Sequence, residues 1–163
     1  MADAGELQEK FWKAIKSDRT LMLGLADVED GLGQPMTAQL DEGAERGPLY
    51  IFTAKDTDLV QAIDGRTTAT AHFVSKGHDL FAHLEGELST VEDRELVDRL
   101  WNPFVAAWFE GGKDDPKLQL LRFQPGHAHI WLNEHSLFAG AKMLLGRDPK
   151  EDYKDKAGDV RLS

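Results

Sequence analysis

Thr67-Thr68-Ala69-Thr70-Ala71-His72-Phe73-Val74-Ser75-Lys76-Gly77-His78-Asp79-Leu80-Phe81-Ala82-His83-Leu84-Glu85-Gly86-Glu87-Leu88 decides the fold class. Thr67 to Val74 is rich in β-branched residues, and Ser75-Lys76-Gly77 supplies a turn. From Asp79 to Val91 apolar and polar residues alternate, with Leu80, Ala82, Leu84 and Leu88 on one face and His83, Glu85 and Glu87 on the other. Two long strands joined by a tight turn form an antiparallel hairpin, so a sheet of that kind anchors the chain.

Similar signals lie on both sides. Upstream, Leu7, Phe11, Ala14 and Ile15 recur at helical spacing, predicting an amphipathic helix that ends near Ser17-Asp18 and lids a core. Thr20 to Asp27, the turn Gly31-Leu32-Gly33-Gln34 and the alternating Pro35 to Asp41 predict a first hairpin. Pro48 to Thr53 reads as a third strand, and Asp56 to Ile63 as a short helix ended by Asp64-Gly65. Downstream, a helix from about Glu92 leads into an aromatic segment. Leu118 to Phe123 and His127 to Leu132 then predict a last hairpin across Gln124-Pro125-Gly126. About seven strands with three or four short helices, and no regular strand–helix alternation, favour a mostly antiparallel β fold with flanking α elements over a doubly wound sheet.

The segment from Leu100 to Pro116 concentrates rings. Trp101, Phe104, Trp108 and Phe109 stand at spacings near three, four and seven, which on a single helix would share one side. Such a cluster fills a core, or forms a wall against a flat ligand or a partner subunit. The Gly-Gly and Asp114-Asp115-Pro116 segment that follows reads as turn chemistry.

Composition narrows the function classes. The 163 residues fit one domain, and a hydrophobic share of 41% supports a sizeable core. A net charge of −10 argues against nucleic acid and anionic membranes as partners. No run is long and apolar enough for a membrane span, and the N-terminus is acidic rather than basic and then apolar, so a cytoplasmic location is expected. Cysteine is absent, so disulfides and thiolate chemistry are excluded, and redox chemistry requires a cofactor. No Gly-x-Ser-x-Gly elbow exposes a nucleophilic serine. His127 and His129 share a strand face and could join His83 or His72 in a metal or haem site, although satisfied or exposed histidines are the favoured reading. Beyond Gly146 the chain carries five basic and five acidic residues with few apolar ones, which predicts a charged arm over 146–163 following a domain over 1–145.

The series Gln34-Pro35-Met36-Thr37-Ala38-Gln39, Leu49-Tyr50-Ile51-Phe52-Thr53 with Lys55-Asp56-Thr57, Leu84-Glu85-Gly86-Glu87-Leu88 and Leu100-Trp101-Asn102-Pro103 with Trp108-Phe109 resembles the FMN-binding split-barrel proteins. These are relatives of pyridoxamine 5′-phosphate oxidase, and the nearest branch is general stress protein 26. The match spans roughly residues 5 to 132 in the same order, which is more specific than any single motif.

The resemblance implies a six-stranded antiparallel split barrel, a homodimer, and FMN, with FAD as the second candidate, in a cleft at the subunit interface. It sets Met36, Thr37 and Gln39 against the flavin ring and Phe52-Thr53 beside the ribityl phosphate. The phosphate would be met by Thr53, Lys55 and Thr57, and Trp108, followed by Trp101, would close the ring from the other subunit. Read from the residues alone, Met36 and Phe52 equally suit the barrel core, the tryptophans suit core or dimer anchors, and Lys55 suits solvent. Asp58 and Leu59 stand where relatives often carry basic residues, and no arginine-rich strand accompanies Pro35 to Leu40, so vitamin B6 oxidation is the less favoured activity. The implied function is flavin-dependent electron transfer from a reduced nicotinamide, with non-catalytic flavin sequestration as the alternative.

Overall fold

The computed structural model describes residues 3–26, 32–133, 144, 146 and 156–163. The first turn expected at Gly31 lies partly outside them.

Helix α1, Ala4–Ser17, starts where the Asp3 carboxylate accepts from the Gly5 amide. It buries Leu7, Phe11, Trp12 and Ile15, so Trp12 takes a place that the periodicity assigned to Ala14. Phe11 meets Phe73 edge to face at 6.2 Å, which seats the helix on the sheet's inner side.

Seven strands follow: β1 Thr20–Leu25, β2 Gln34–Thr37, β3 Leu49–Ala54, β4 Arg66–Val74, β5 Leu80–Val91, β6 Leu118–Leu132 and β7 Ala157–Arg161. They form one antiparallel sheet in the order β2-β1-β4-β5-β6-β3, with β7 also on β6. Between β3 and β4 lies the short helix α2, Asp58–Gln61; between β5 and β6 lie α3, Arg94–Leu100, and α4, Pro103–Ala106. The β4–β5 hairpin pairs Arg66 with Ser89 through Val74 with Phe81, as its alternation requires.

Two expectations are corrected. The resemblance implied a six-stranded barrel, whereas the sheet has seven strands and remains open. The gap lies between β2 and β3, where Gln39 and Tyr50 form an isolated bridge with mutual backbone bonds of 2.8 and 2.7 Å. Second, Leu118 to Leu132 is one strand of 15 residues, not a hairpin. Gln124-Pro125-Gly126 is a β-bulge: Glu85 faces His127 while Gly86 faces Pro125, so the ladder absorbs one extra residue without turning. Gly86 makes this possible, because a Cβ there would lie 2.2 Å from the Gln124 carbonyl oxygen. Within the charged tail, Ala157–Arg161 is a strand. β7 runs antiparallel to His127–Trp131, and Val160 and Leu162 are buried.

The length of β6 lets it carry three partner strands. One of its edges carries β5, while the opposite edge carries β3 along Leu118–Phe123 and β7 along His127–Trp131. The main core, inside the curved sheet, is built on Phe11, Phe73, Phe123, Leu23, Leu84 and Leu88. A second cluster lies outside β3 and β6, where α3 buries Leu96, Val97 and Leu100 against Leu120, Tyr50 and Phe52.

Candidate functional site

Strand alternation separates the expected site residues before any ligand is considered. On β3, Leu49, Ile51 and Thr53 are buried, while Tyr50 and Phe52 turn outward beneath α3. Phe52 and Thr53 therefore occupy opposite faces. On β2, Met36 packs partly against the main core, and Thr37, at the strand's end opposite Thr20, is exposed.

The structure brings together Gln39, Phe52 and Trp101. Gln39 is buried at 7% exposure, and its Oε1 accepts from Asn102 Nδ2 at 3.3 Å. Trp101 meets Phe52 edge to face at 5.8 Å and Phe109 at 6.3 Å. The group is fastened by Arg99, whose guanidinium donates twice to the Asp41 carboxylate at 3.1 and 2.9 Å, tying α3 to the β2–β3 connection. That bidentate bond holds the Asp41 carboxyl below its ordinary value of 3.8.

Trp101 and Trp108 do not share a helix face. Pro103 lacks an amide proton and disfavours helical backbone at the residue before it, so Asn102 is extended at φ −148° and ψ 167°. The Asn102 side chain then accepts from the Phe104 and Val105 amides and starts α4 afresh. Trp101 stays inside the cluster, whereas Trp108 and Phe104 are exposed at 84% and 86%.

The phosphate-side residues are divided in the same way. Thr57 caps α2, accepting from the Val60 amide at 3.3 Å and donating to the Ala54 carbonyl at 2.9 Å, so its hydroxyl proton is already engaged. The Lys55 side chain is exposed. Thr53 is buried at 8% exposure, and its hydroxyl makes no hydrogen bond among the described residues. Asp115 behaves as turn chemistry, accepting from the Lys117 and Gly111 amides at 2.9 and 3.2 Å.

The histidines form a row. Met22, His72, His83, His129 and Asp159 lie opposite one another across β1, β4, β5, β6 and β7 on the outer face. His83 Nδ1 and His72 Nε2 share a hydrogen bond at 2.9 Å, and His129 Nδ1 meets Asp159 at 2.7 Å. Among the described residues no three His, Asp or Glu side chains converge on a metal position. Beside the row, Phe81, Val74, Trp131 and His72 line a largely apolar hollow of about 470 Å³. Simple strand alternation places Phe81 and Trp131 on this outer face, but neither stood out as a site candidate.

Burial, followed by the neighbouring His83, holds His72 below its ordinary value of 6.5. The unfolded chain therefore takes up this proton at a higher pH than the folded one, so stability falls as pH drops below about 6.5. We expect the Tm to decline on acidification from neutral pH to pH ~5.5, and His72→Asn to flatten that decline. A slope unchanged by the substitution would contradict the assignment.

Among the described residues no helix is long and apolar enough to cross a membrane.

The family follows from comparison with known proteins. Residues 6–150 match the model of the family described as pyridoxamine 5′-phosphate oxidase like. The chain belongs to that family. Within this oxidase-like family, it is similar to the general stress FMN/FAD binding protein of Xanthomonas citri, with 59% identity over 82% of this chain and 93% of that one, at a TM-score of 0.77. A general stress protein 26 from Jannaschia sp. CCS1 is 31% identical over 98% of this chain and 99% of its own, at a TM-score of 0.82. General stress protein 26 of Bacillus subtilis is 28% identical over 80 residues, covering 47% of this chain. The chain spans about half the length of that relative, 56%.

Proposed function

We propose that this chain binds a flavin, FMN in the first place and FAD in the second, in a crevice that two copies complete, and that the bound flavin carries electrons from a reduced nicotinamide to a small acceptor. The observation that carries the reading is 59% identity, over most of both chains, to a protein described as binding FMN or FAD.

The residues fit such a group. An isoalloxazine needs an apolar flank and a few fixed polar partners along its carbonyl and nitrogen edge. While the Thr53 hydroxyl, without a described partner, lies on the opposite face of β3 from Phe52, the open end between β2 and β3 offers the exposed Thr37 hydroxyl and the Gln39 amide held by Asn102. Phe52 and Trp101 supply rings beside them, at 5.8 Å from each other. A second copy packed on the outer sheet face would cover Phe81 and Trp131 and close the hollow there. When bound, the flavin supplies the redox chemistry. The protein's part is to orient the ring and exclude water.

Stoichiometric flavin storage without turnover is the second reading. It is favoured by the Asp41–Arg99 pair, since these charged groups beside the cluster are committed to each other rather than free to exchange protons. Anaerobic mixing of the flavin-loaded chain with NADH or NADPH separates the readings, because only electron transfer bleaches the visible band.

Flavin fluorescence quenching tests the site itself. Gln39→Ala should weaken FMN binding about tenfold, the loss of one or two buried hydrogen bonds. Equal affinity for wild type and variant would remove Gln39 from the site.

A further inference from the structure

Register places two cations on the outer sheet face, at the opposite end of β4 and β5 from the histidine row. Arg66, Ser89 and Arg122 stand directly opposite one another on β4, β5 and β6. In the next row Glu87 faces Gln124. Arg66, Glu87, Ser89, Arg122 and Gln124 line a hollow of about 250 Å³.

The hydrogen-bonding state of this hollow is unusual for so acidic a chain. Arg122 is exposed and makes no hydrogen bond or ion pair among the described residues. Ser89 is half-buried, and its hydroxyl likewise has no described partner. Arg66 touches Glu87 at 3.7 Å, too long for a strong charge-assisted bond, with both side chains largely exposed. Gln124 spends one amide proton on the Pro125 carbonyl at 3.3 Å and retains the other. Two guanidiniums thus flank a hydroxyl and an amide, on backbones about 10 Å apart after two strand spacings. That separation lets two long arms converge on one small ion.

We propose that Arg66 and Arg122, with Ser89 between them, form a binding site for a tetrahedral oxyanion, either free phosphate or a phosphate monoester. Guanidinium forks match phosphate oxygens two at a time, and the hydroxyl and amide supply shorter-range donors. Glu87 opposes the ion. It also tethers Arg66 while the site is empty, so ligand binding exchanges a weak ion pair for a stronger one. Arg122 stands opposite Tyr50, whose backbone pairs with Gln39, so the site adjoins the Gln39–Trp101 cluster without taking a side chain from it.

Isothermal titration of the full chain with sodium phosphate at low ionic strength tests the site. Saturable binding is expected, weakened about tenfold or more by Arg122→Gln and by Arg66→Gln, tightened several-fold by Glu87→Gln, and weakened by added chloride. These side chains are exposed, so an unchanged Tm confirms that each variant folds. A second arm compares FMN with riboflavin. If FMN binds more tightly and Arg122→Gln removes the difference, the ion is the flavin's own phosphate; if the flavins respond equally while phosphate binding is lost, the ion is a separate ligand. Absence of saturable phosphate binding, or affinity indifferent to both arginines, overturns the proposal.

Discussion

Gly86→Ala destabilises the fold by about 3 kcal/mol or more, measured as a shift in the urea midpoint at constant slope. The added methyl would sit 2.2 Å from the Gln124 oxygen and 2.9 Å from Pro125 Cα, which are backbone atoms with no rotamer to retreat into. Relief requires the bulge to move, and with it the registry of the two longest strands. Gly126→Ala provides the control. Its Cβ would approach nothing closer than the Glu85 carbonyl oxygen at 3.8 Å, and the cost should stay within about 1 kcal/mol. Equal, small effects at both positions would show that the bulge is not what Gly86 serves.

Removing residues 157–163 is the second large perturbation. It strips β7 from His127–Trp131 and exposes what Val160 and Leu162 cover, each now buried at 3% and 8% exposure. At about 1.5–3 kcal/mol for each large aliphatic side chain, the expected loss is ~3–6 kcal/mol. The newly bare edge of β6 should also make the truncated chain aggregate with rising concentration. A shortened chain with unchanged midpoint and solubility would contradict the role given to β7.

These two perturbations mark where local sequence stops informing the fold. The β4–β5 hairpin was legible because alternation and a Ser75-Lys76-Gly77 turn agree, each a property of adjacent residues. Pro125-Gly126 carries every local sign of a turn. Its conversion into a bulge depends on Gly86, some 40 residues earlier in the chain, so no window around Pro125 contains the deciding information. Ala157–Arg161 was hidden for a related reason. Its charges read as an extended or mobile arm, and the vacant half of the β6 edge gives Val160 somewhere to go.

The candidate site shows the same division. Family pattern named Gln39, Phe52 and Trp101, and the structure gathers them around Asn102 and the Asp41–Arg99 clamp. Helical spacing also grouped Trp108 with Trp101, and failed because Pro103 restarts the helix between them. The resemblance sets Thr57 beside the phosphate, and in the structure its hydroxyl caps α2. Alternation sets Phe81 and Trp131 on the outer face of their strands, and β5–β6 pairing brings them side by side there.

Gel filtration of the chain after incubation with excess FMN, monitored in the visible and at the tryptophan band, decides whether two copies hold a flavin. A yellow peak at the mass of two chains, with about one flavin per chain, is expected. A colourless peak at the mass of one 18.2 kDa chain, with all flavin in the small-molecule fraction, would contradict it.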